Sequence, residues 1–132
     1  MIDQQLLSSA REIRKKYLSI MSDLSDYEKE IKKLSDFLLE KAEVFKKIEE
    51  KDLNTKGSKE ELLRITSKIV NEIQEIEDEE IKISKRIEQL NEGLNKLQKE
   101  EDILYTTIKT RYPNMTDEEI KSQIHSVIKD LN

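Results

Sequence analysis

The sequence concentrates carboxylates in one short stretch, with no Lys or Arg between Glu72 and Ile81. The members of this acidic run are Glu72, Glu75, Glu77, Asp78, Glu79 and Glu80. Because carboxylate oxygens bind divalent cations, the chemistry that the acidic run suggests is weak Ca²⁺ or Mg²⁺ binding. At helical spacing these side chains spread around the helix circumference. We therefore interpret the run as a solvated face and predict no metal site.

Other residues able to catalyse a reaction are few. The chain has no Cys and a single His, His125, which excludes thiolate and multi-histidine metal sites. No Ser or Cys nucleophile motif accompanies His125, so the pattern predicts no catalytic triad and a simple helix-face residue. Residues 54–59 contain the residue types of a phosphate loop but not its G-x-x-x-x-G-K-[ST] order. We predict no catalytic residue and no cofactor, and hence a protein that is not an enzyme.

The composition restricts the class of protein further. Among 132 residues, 24 Lys and Arg stand against 29 Asp and Glu, a net charge of −5. Two Gly and one Pro are too few for the turns of a many-stranded β protein, which excludes an all-β fold. No stretch approaches the about 20 apolar residues of a membrane span. The negative charge opposes direct nucleic-acid binding, and the lack of Cys suits a reducing compartment. We expect a cytoplasmic protein that binds neither membrane nor nucleic acid directly.

Two long hydrophobic stripes organise the chain. In both, core positions recur at alternating spacings of four and three residues, which is the seam repeat of a coiled coil. The first stripe consists of Leu6, Ala10, Ile13, Tyr17, Ile20, Leu24, Tyr27, Ile31, Leu34, Leu38, Lys41, Phe45 and Ile48. The second consists of Leu62, Thr66, Ile69, Ile73, Ile76, Glu80, Ile83, Ile87, Leu90, Leu94, Leu97, Glu101, Leu104 and Ile108. A buried polar group penalises misaligned or extra-stranded pairs. We therefore predict a register-setting role for the polar members Lys41, Thr66, Glu80 and Glu101.

Turn residues separate the two stripes. The first helix is predicted over about residues 4–52 and a turn over residues 53–58, where the heptads stop. Ser58 and Glu61 have the spacing of a capping box, in which each side chain satisfies a backbone N–H at a helix start. The second helix is therefore predicted over about residues 59–111.

A third, shorter helix is predicted after the second. Thr116 and Glu119 repeat the capping-box pattern, and Met115 with Ile120 fits the hydrophobic staple that fixes the entry angle of a helix. These signals predict a helix over about Asp117–Asp130.

Together these features predict an all-α fold. The chain should form a long antiparallel coiled-coil helical hairpin over residues 1–112, followed by a short C-terminal amphipathic helix within residues 113–132. Two registers of the hairpin match the stripes: Leu6 faces Ile108 in one and Glu101 in the other. We prefer the first, because it uses both stripes end to end and pairs flanking charges of opposite sign.

Apolar side chains also flank the stripes near the predicted turn. The main members, which we call the flank cluster, are Phe37, Val44, Leu63, Ile65 and Val70. A seam between two helices needs only its a and d positions, so a wider apolar stripe predicts additional helices alongside. We expect the flank cluster to bind a second copy or a partner protein. The alternative is that these side chains merely cover the tip of the hairpin.

The third helix carries an apolar face of its own. Its members are Ile120, Ile124, Val127, Ile128 and Leu131. The hairpin base offers one cover for this face, through Leu7, Ile103, Leu104 and Ile108, and a partner offers the other. We expect a partner or a neighbouring copy, because the seam already uses Leu104 and Ile108. The residues expected to bind it are Ile120, Ile124, Val127 and Ile128.

The sequence leads to three hypotheses about function. The first is a non-enzymatic structural or adaptor subunit that assembles through the hairpin with copies of itself or a larger complex. The second is a regulatory factor that docks its C-terminal helix into a groove on a partner from the nucleic-acid machinery. The third is a holdase-like chaperone whose apolar tip binds unfolded proteins. The first hypothesis predicts assembly with a fixed stoichiometry, the second predicts binding to one specific partner, and the third predicts promiscuous binding of unfolded proteins.

Overall fold

The computed structural model describes residues 1–54 and 59–131, with the side chains of residues 49–54 left out of the description. Three α-helices account for most of these residues: α1 (Gln4–Asn54), α2 (Lys59–Arg111) and α3 (Asp117–Ile128), which ends in a 3₁₀ turn at Lys129–Leu131. The helix α1 packs against α2 as a hairpin, and no strand occurs in the described segments. The predicted all-α hairpin with a short C-terminal helix is confirmed.

The helix ends follow the local sequence signals. Asp3 caps α1, because its Oδ1 accepts a 2.7 Å hydrogen bond from the N–H of Gln5. Thr116 caps α3 with the predicted capping box: its Oγ1 accepts from the N–H of Glu119, and the Glu119 side chain accepts from the N–H of Thr116. Helix α2 begins at Lys59, as predicted. The predicted box at Ser58 and the centre of the turn lie outside the described residues.

The chain divides into two compact units. Unit 1 comprises Met1–Leu24 and Glu88–Asn132, and unit 2 comprises Ser25–Ile87. The C-terminal helix α3 therefore belongs to the same unit as the base of the hairpin.

Contacts within each unit fit the preferred hairpin register. In unit 1, Arg111 forms an ion pair with Asp3 at 3.6 Å, and these two residues face each other when Leu6 faces Ile108. In unit 2, the Nζ atom of Lys41 lies 2.6 Å from the Oε2 atom of Glu72. The alternative register would displace each of these pairs by about two helical turns.

The core of unit 1 joins all three helices to the N-terminal residues. Its fully or nearly buried members are Ile2, Leu7, Ile108 and Ile120. Partly buried side chains pack around them: Leu6, Leu104, Tyr105, Tyr112, Met115, Ile124 and Val127. Met115 and Ile120, the predicted staple, thus meet in this core.

The cover of the C-terminal helix differs from our expectation. We expected a partner to bind the α3 face, but Ile120 is completely buried within the chain's own core. Ile108 contacts both the seam and α3, and Ile2, which precedes the first stripe, supplies further apolar surface. Of the cover residues considered, only Ile103 is not used, since it is 67% exposed. Within one chain Ile120 is therefore covered by the hairpin base, and the predicted partner contact of the α3 face stays a prediction.

Polar contacts also hold α3 against the hairpin base. The Asp130 carboxylate accepts two hydrogen bonds from the Arg11 guanidinium, at 2.7 and 3.0 Å. At the other end of α3, the Asp117 carboxylate accepts from Tyr105 Oη and pairs with Lys109 Nζ, both at 2.5 Å. Both ends of α3 are therefore fixed to the long helices.

Candidate functional site

A groove in unit 1 is the first candidate surface. It has a volume of about 550 Å³ and is lined by side chains of α1, α2 and α3. The apolar lining consists of Ala10, Ile13, Tyr17, Leu104, Tyr105, Ile124 and Ile128. The polar lining consists of Arg14, Gln98, Glu101, Lys121 and His125. This volume falls within the range of about 300–1,000 Å³ that is typical of ligand pockets.

Two irregular positions of the seam line this groove. Ala10 is the smallest residue of the first stripe and is nearly buried. Glu101 occupies the seam position that faces Ile13, but its side chain is exposed instead of buried. On the α3 side, Ile124 and Ile128 border the groove.

The groove carries more positive than negative charge. Arg14 lies over the ring of Tyr17, with its guanidinium carbon 5.3 Å from the ring centroid, which is a cation–π geometry. Lys121 and His125 line the α3 side, and Glu101 is the single carboxylate of the lining. The arrangement combines an apolar floor with a cationic edge.

The flank cluster lies in unit 2 and forms the second candidate surface. All five members are exposed, from 36% for Ile65 to 67% for Leu63. They occupy e and g positions, which flank the seam. The structure thus leaves uncovered the side chains that the sequence predicts to bind another helix.

The four predicted register-setting residues have different environments. Thr66 and Glu80 are half-buried in the seam of unit 2, and Glu101 is exposed in the groove of unit 1. Lys41 is half-buried and pairs with Glu72 across the hairpin. The hydrogen bond between them raises the pKa of Lys41 and lowers the pKa of Glu72. None of the described polar side chains is fully buried, so these residues interrupt the seam while keeping part of their contact with water.

The remaining sequence candidates do not form sites. Within the described residues, no group of three or more His, Cys, Asp or Glu side chains is arranged to hold a metal ion. The acidic run extends along α2, and its members other than the half-buried Glu72 and Glu80 are exposed. His125 is an exposed residue at the groove edge. Residues 54–59 fall mostly outside the described part of the chain.

None of the described helix segments is long and apolar enough to cross a membrane.

Comparisons with protein-family models, curated proteins and solved structures give no match. The candidate surfaces must therefore be judged by their own chemistry.

Sequence reasoning missed the residues that hold α3 in place. Arg11, Asp130, Asp117 and Lys109 are charged residues on exposed faces, a common type with no local signature. Gln123 is equally inconspicuous, although its Oε1 accepts a 2.7 Å hydrogen bond from the N–H of Ile2. The one signal was that the N-terminal and C-terminal segments carry groups able to pair, such as Arg11 with Asp130. Such a pair can be recognised only once both segments are known to lie side by side.

Proposed function

We propose that this protein is a non-enzymatic structural or adaptor subunit that associates with copies of itself through the flank cluster of unit 2. The exposure of that cluster is the observation that supports the proposal. Phe37 and Val70 are each 51% exposed and Leu63 is 67% exposed, although all three flank a coiled-coil seam. The cytoplasm is the proposed location, because a chain without Cys suits a reducing compartment.

The exposed area is excessive for a helical hairpin that acts alone. A two-helix seam buries its a and d positions and leaves the flanking positions polar, as in a charged surface helix. Here the flanking positions carry Phe, Val, Leu and Ile over two to three turns of both helices. Exposed apolar patches of this kind mark protein–protein contact sites.

Charge complementarity supports a second copy as the occupant. Along unit 2, α2 carries the acidic run, whereas residues 25–48 of α1 balance six Lys against six Asp and Glu. The exposed Lys32, Lys33, Lys46 and Lys47 are among these six Lys. In a two-fold dimer the same patch serves both subunits, so each α1 can lie beside the α2 of the other copy. This arrangement allows one of the two Lys pairs of each subunit to lie close to the acidic run of the other.

Sedimentation equilibrium over a range of protein concentrations tests this proposal. We expect the full chain to associate with a fixed stoichiometry, and Leu63→Glu to shift the equilibrium toward monomer at least about tenfold, since it adds a charge to the contact. Leu39→Glu is the matched control, because Leu39 is also 67% exposed but lies at a b position away from the flanks. Its association should equal that of the parent chain.

Two outcomes would contradict self-association. A chain that remains monomeric at all concentrations has no homotypic contact. If such a monomer also suppresses aggregation of an unfolded client protein, and Leu63→Glu removes this effect, the holdase role replaces our proposal. If α3 instead docks on a partner through Ile120, this residue must leave the core of unit 1. Binding of the partner would then destabilise unit 1.

A further inference from the structure

We propose that the groove of unit 1 binds a small aliphatic carboxylate, with the apolar tail along α1 and the carboxylate at the cationic edge. This ligand site is separate from the flank cluster, and its residues take no part in the proposed self-association. The inference depends on the shape, lining and charge of the groove.

The apolar floor selects an aliphatic chain. Ile13 and Ile128 are half-buried, so each retains surface that a ligand can remove from water. Burial of apolar surface contributes roughly 25 cal/mol per Å², which makes such a floor a favourable site for a hydrocarbon chain. The lining of α1 runs from Ala10 to Tyr17. These residues are about 10 Å apart at the helical rise, close to the length of an extended chain of about eight carbons.

The position of the groove between three helices favours a single chain over a helix. A hydrocarbon chain is thinner than a helix, which is about 10 Å in diameter, and so needs less space between α1, α2 and α3. Both ends of α3 are fixed, at Asp117 and at Asp130.

The charge of the lining selects an anionic head group. Arg14 and Lys121 are the basic side chains of the lining besides His125, and Glu101 is the one carboxylate among the lining residues. The same lining disfavours an aliphatic amine, because the head group of the amine is a cation. The carboxylate head is therefore expected near Lys121 and His125, at the edge where the groove opens to solvent.

Titration of the full chain with three probes of equal chain length tests the proposal. The probes are octanoate, 1-octanol and octylammonium, and binding is followed through backbone amide chemical shifts. We expect all significant shifts to map to the groove, with octanoate binding about threefold or more tightly than octanol, the difference that a partly exposed charge contact supplies. Octylammonium should bind more weakly than octanol.

Single-residue variants separate the charge contribution from simple hydrophobic binding. Lys121→Gln should weaken octanoate binding by about two- to fivefold, and Glu101→Gln should strengthen it by a similar factor, with octanol unaffected. Lys99→Gln is the matched control, because Lys99 is exposed in the same unit but does not line the groove. Equal affinity for all three probes, or shifts that map to the flank cluster, would overturn the proposal. So would a lack of saturable octanoate binding.

Discussion

Gly93 lies in the interior of α2, where glycine lowers helix stability because its backbone loses more conformational freedom on folding than that of alanine. Its φ angle is not positive, so the backbone there does not require glycine. A Cβ atom added at this position would lie 3.3 Å from the Cδ1 atom of Ile20, the flexible end of a side chain. We expect Gly93→Ala to raise the free energy of unfolding by about 0.5–1 kcal/mol, measured by urea denaturation. A loss of stability would show that Ile20 cannot move.

Glu80 and Lys41 allow a second test at the residue scale. Glu80 is half-buried at a seam position, and Glu80→Leu should raise stability by about 1 kcal/mol, roughly half the value for full burial of a leucine. Lys41→Leu should give a smaller gain, because it leaves Glu72 without its ion partner. Thermal unfolding of both variants provides the comparison. An equal or larger gain for Lys41→Leu would mean that the ion pair contributes nothing.

At the scale of elements, the position of α3 depends on a few residues. Ile120 is fully buried, so Ile120→Ala should cost about 2–5 kcal/mol through lost burial and the cavity left behind. Ile103→Ala is a matched control in the same unit, because Ile103 is 67% exposed. Its effect should stay within about 0.5 kcal/mol. Equal effects of the two substitutions on urea unfolding would place α3 away from the hairpin base in solution.

The attachment of α3 also predicts a pH dependence. Hydrogen bonds from Lys109 and Tyr105 lower the pKa of Asp117 below its ordinary value of 3.8, and Arg11 does the same for Asp130. A carboxyl group with a lowered pKa in the folded state stabilises that state above its unfolded pKa, and this stabilisation disappears as the pH falls through the folded pKa.

Asp117→Asn should therefore reduce stability at neutral pH and have little further effect in strongly acidic solution. Urea unfolding at the two pH values measures this difference. Glu118→Gln, in the same exposed first turn of α3, is the control and should change stability little at either pH. A loss for Asp117→Asn that is independent of pH would assign the role of Asp117 to the helix start, not to its ion pair.

Periodicity and caps predicted these elements, but not the contacts of α3. The heptad repeat determines which residues of α1 and α2 face each other, and proline and capping residues mark where helices end. The stripe analysis treated Ile108 as fully used by the seam, whereas one isoleucine can contact two neighbours. Ile2 has no heptad partner and so gave no signal. The groove could not be predicted either, because side chains from three separate helices line it.

At the scale of the whole molecule, the two units differ in how much apolar surface they bury. The nearly buried core residues of unit 1 are Ile2, Leu7, Ala10, Leu90, Leu97, Ile108 and Ile120. Among the described residues of unit 2, only Ile69 and Ile83 reach this level of burial. Segments with fewer buried apolar contacts unfold locally at a lower free-energy cost. Unit 2 in the monomeric chain is therefore expected to open more often than unit 1.

Amide hydrogen exchange connects this difference to the proposed association. At low protein concentration, amides of unit 2 should exchange faster than those of unit 1. If copies bind through the flank cluster, higher concentration stabilises the folded form of unit 2 by mass action, so a tenfold increase should slow its exchange by up to about tenfold. Unit 1 amides should not respond, because their core is complete within one chain. Leu63→Glu should remove the concentration dependence and Leu39→Glu should retain it. A uniform response of both units would instead indicate non-specific aggregation.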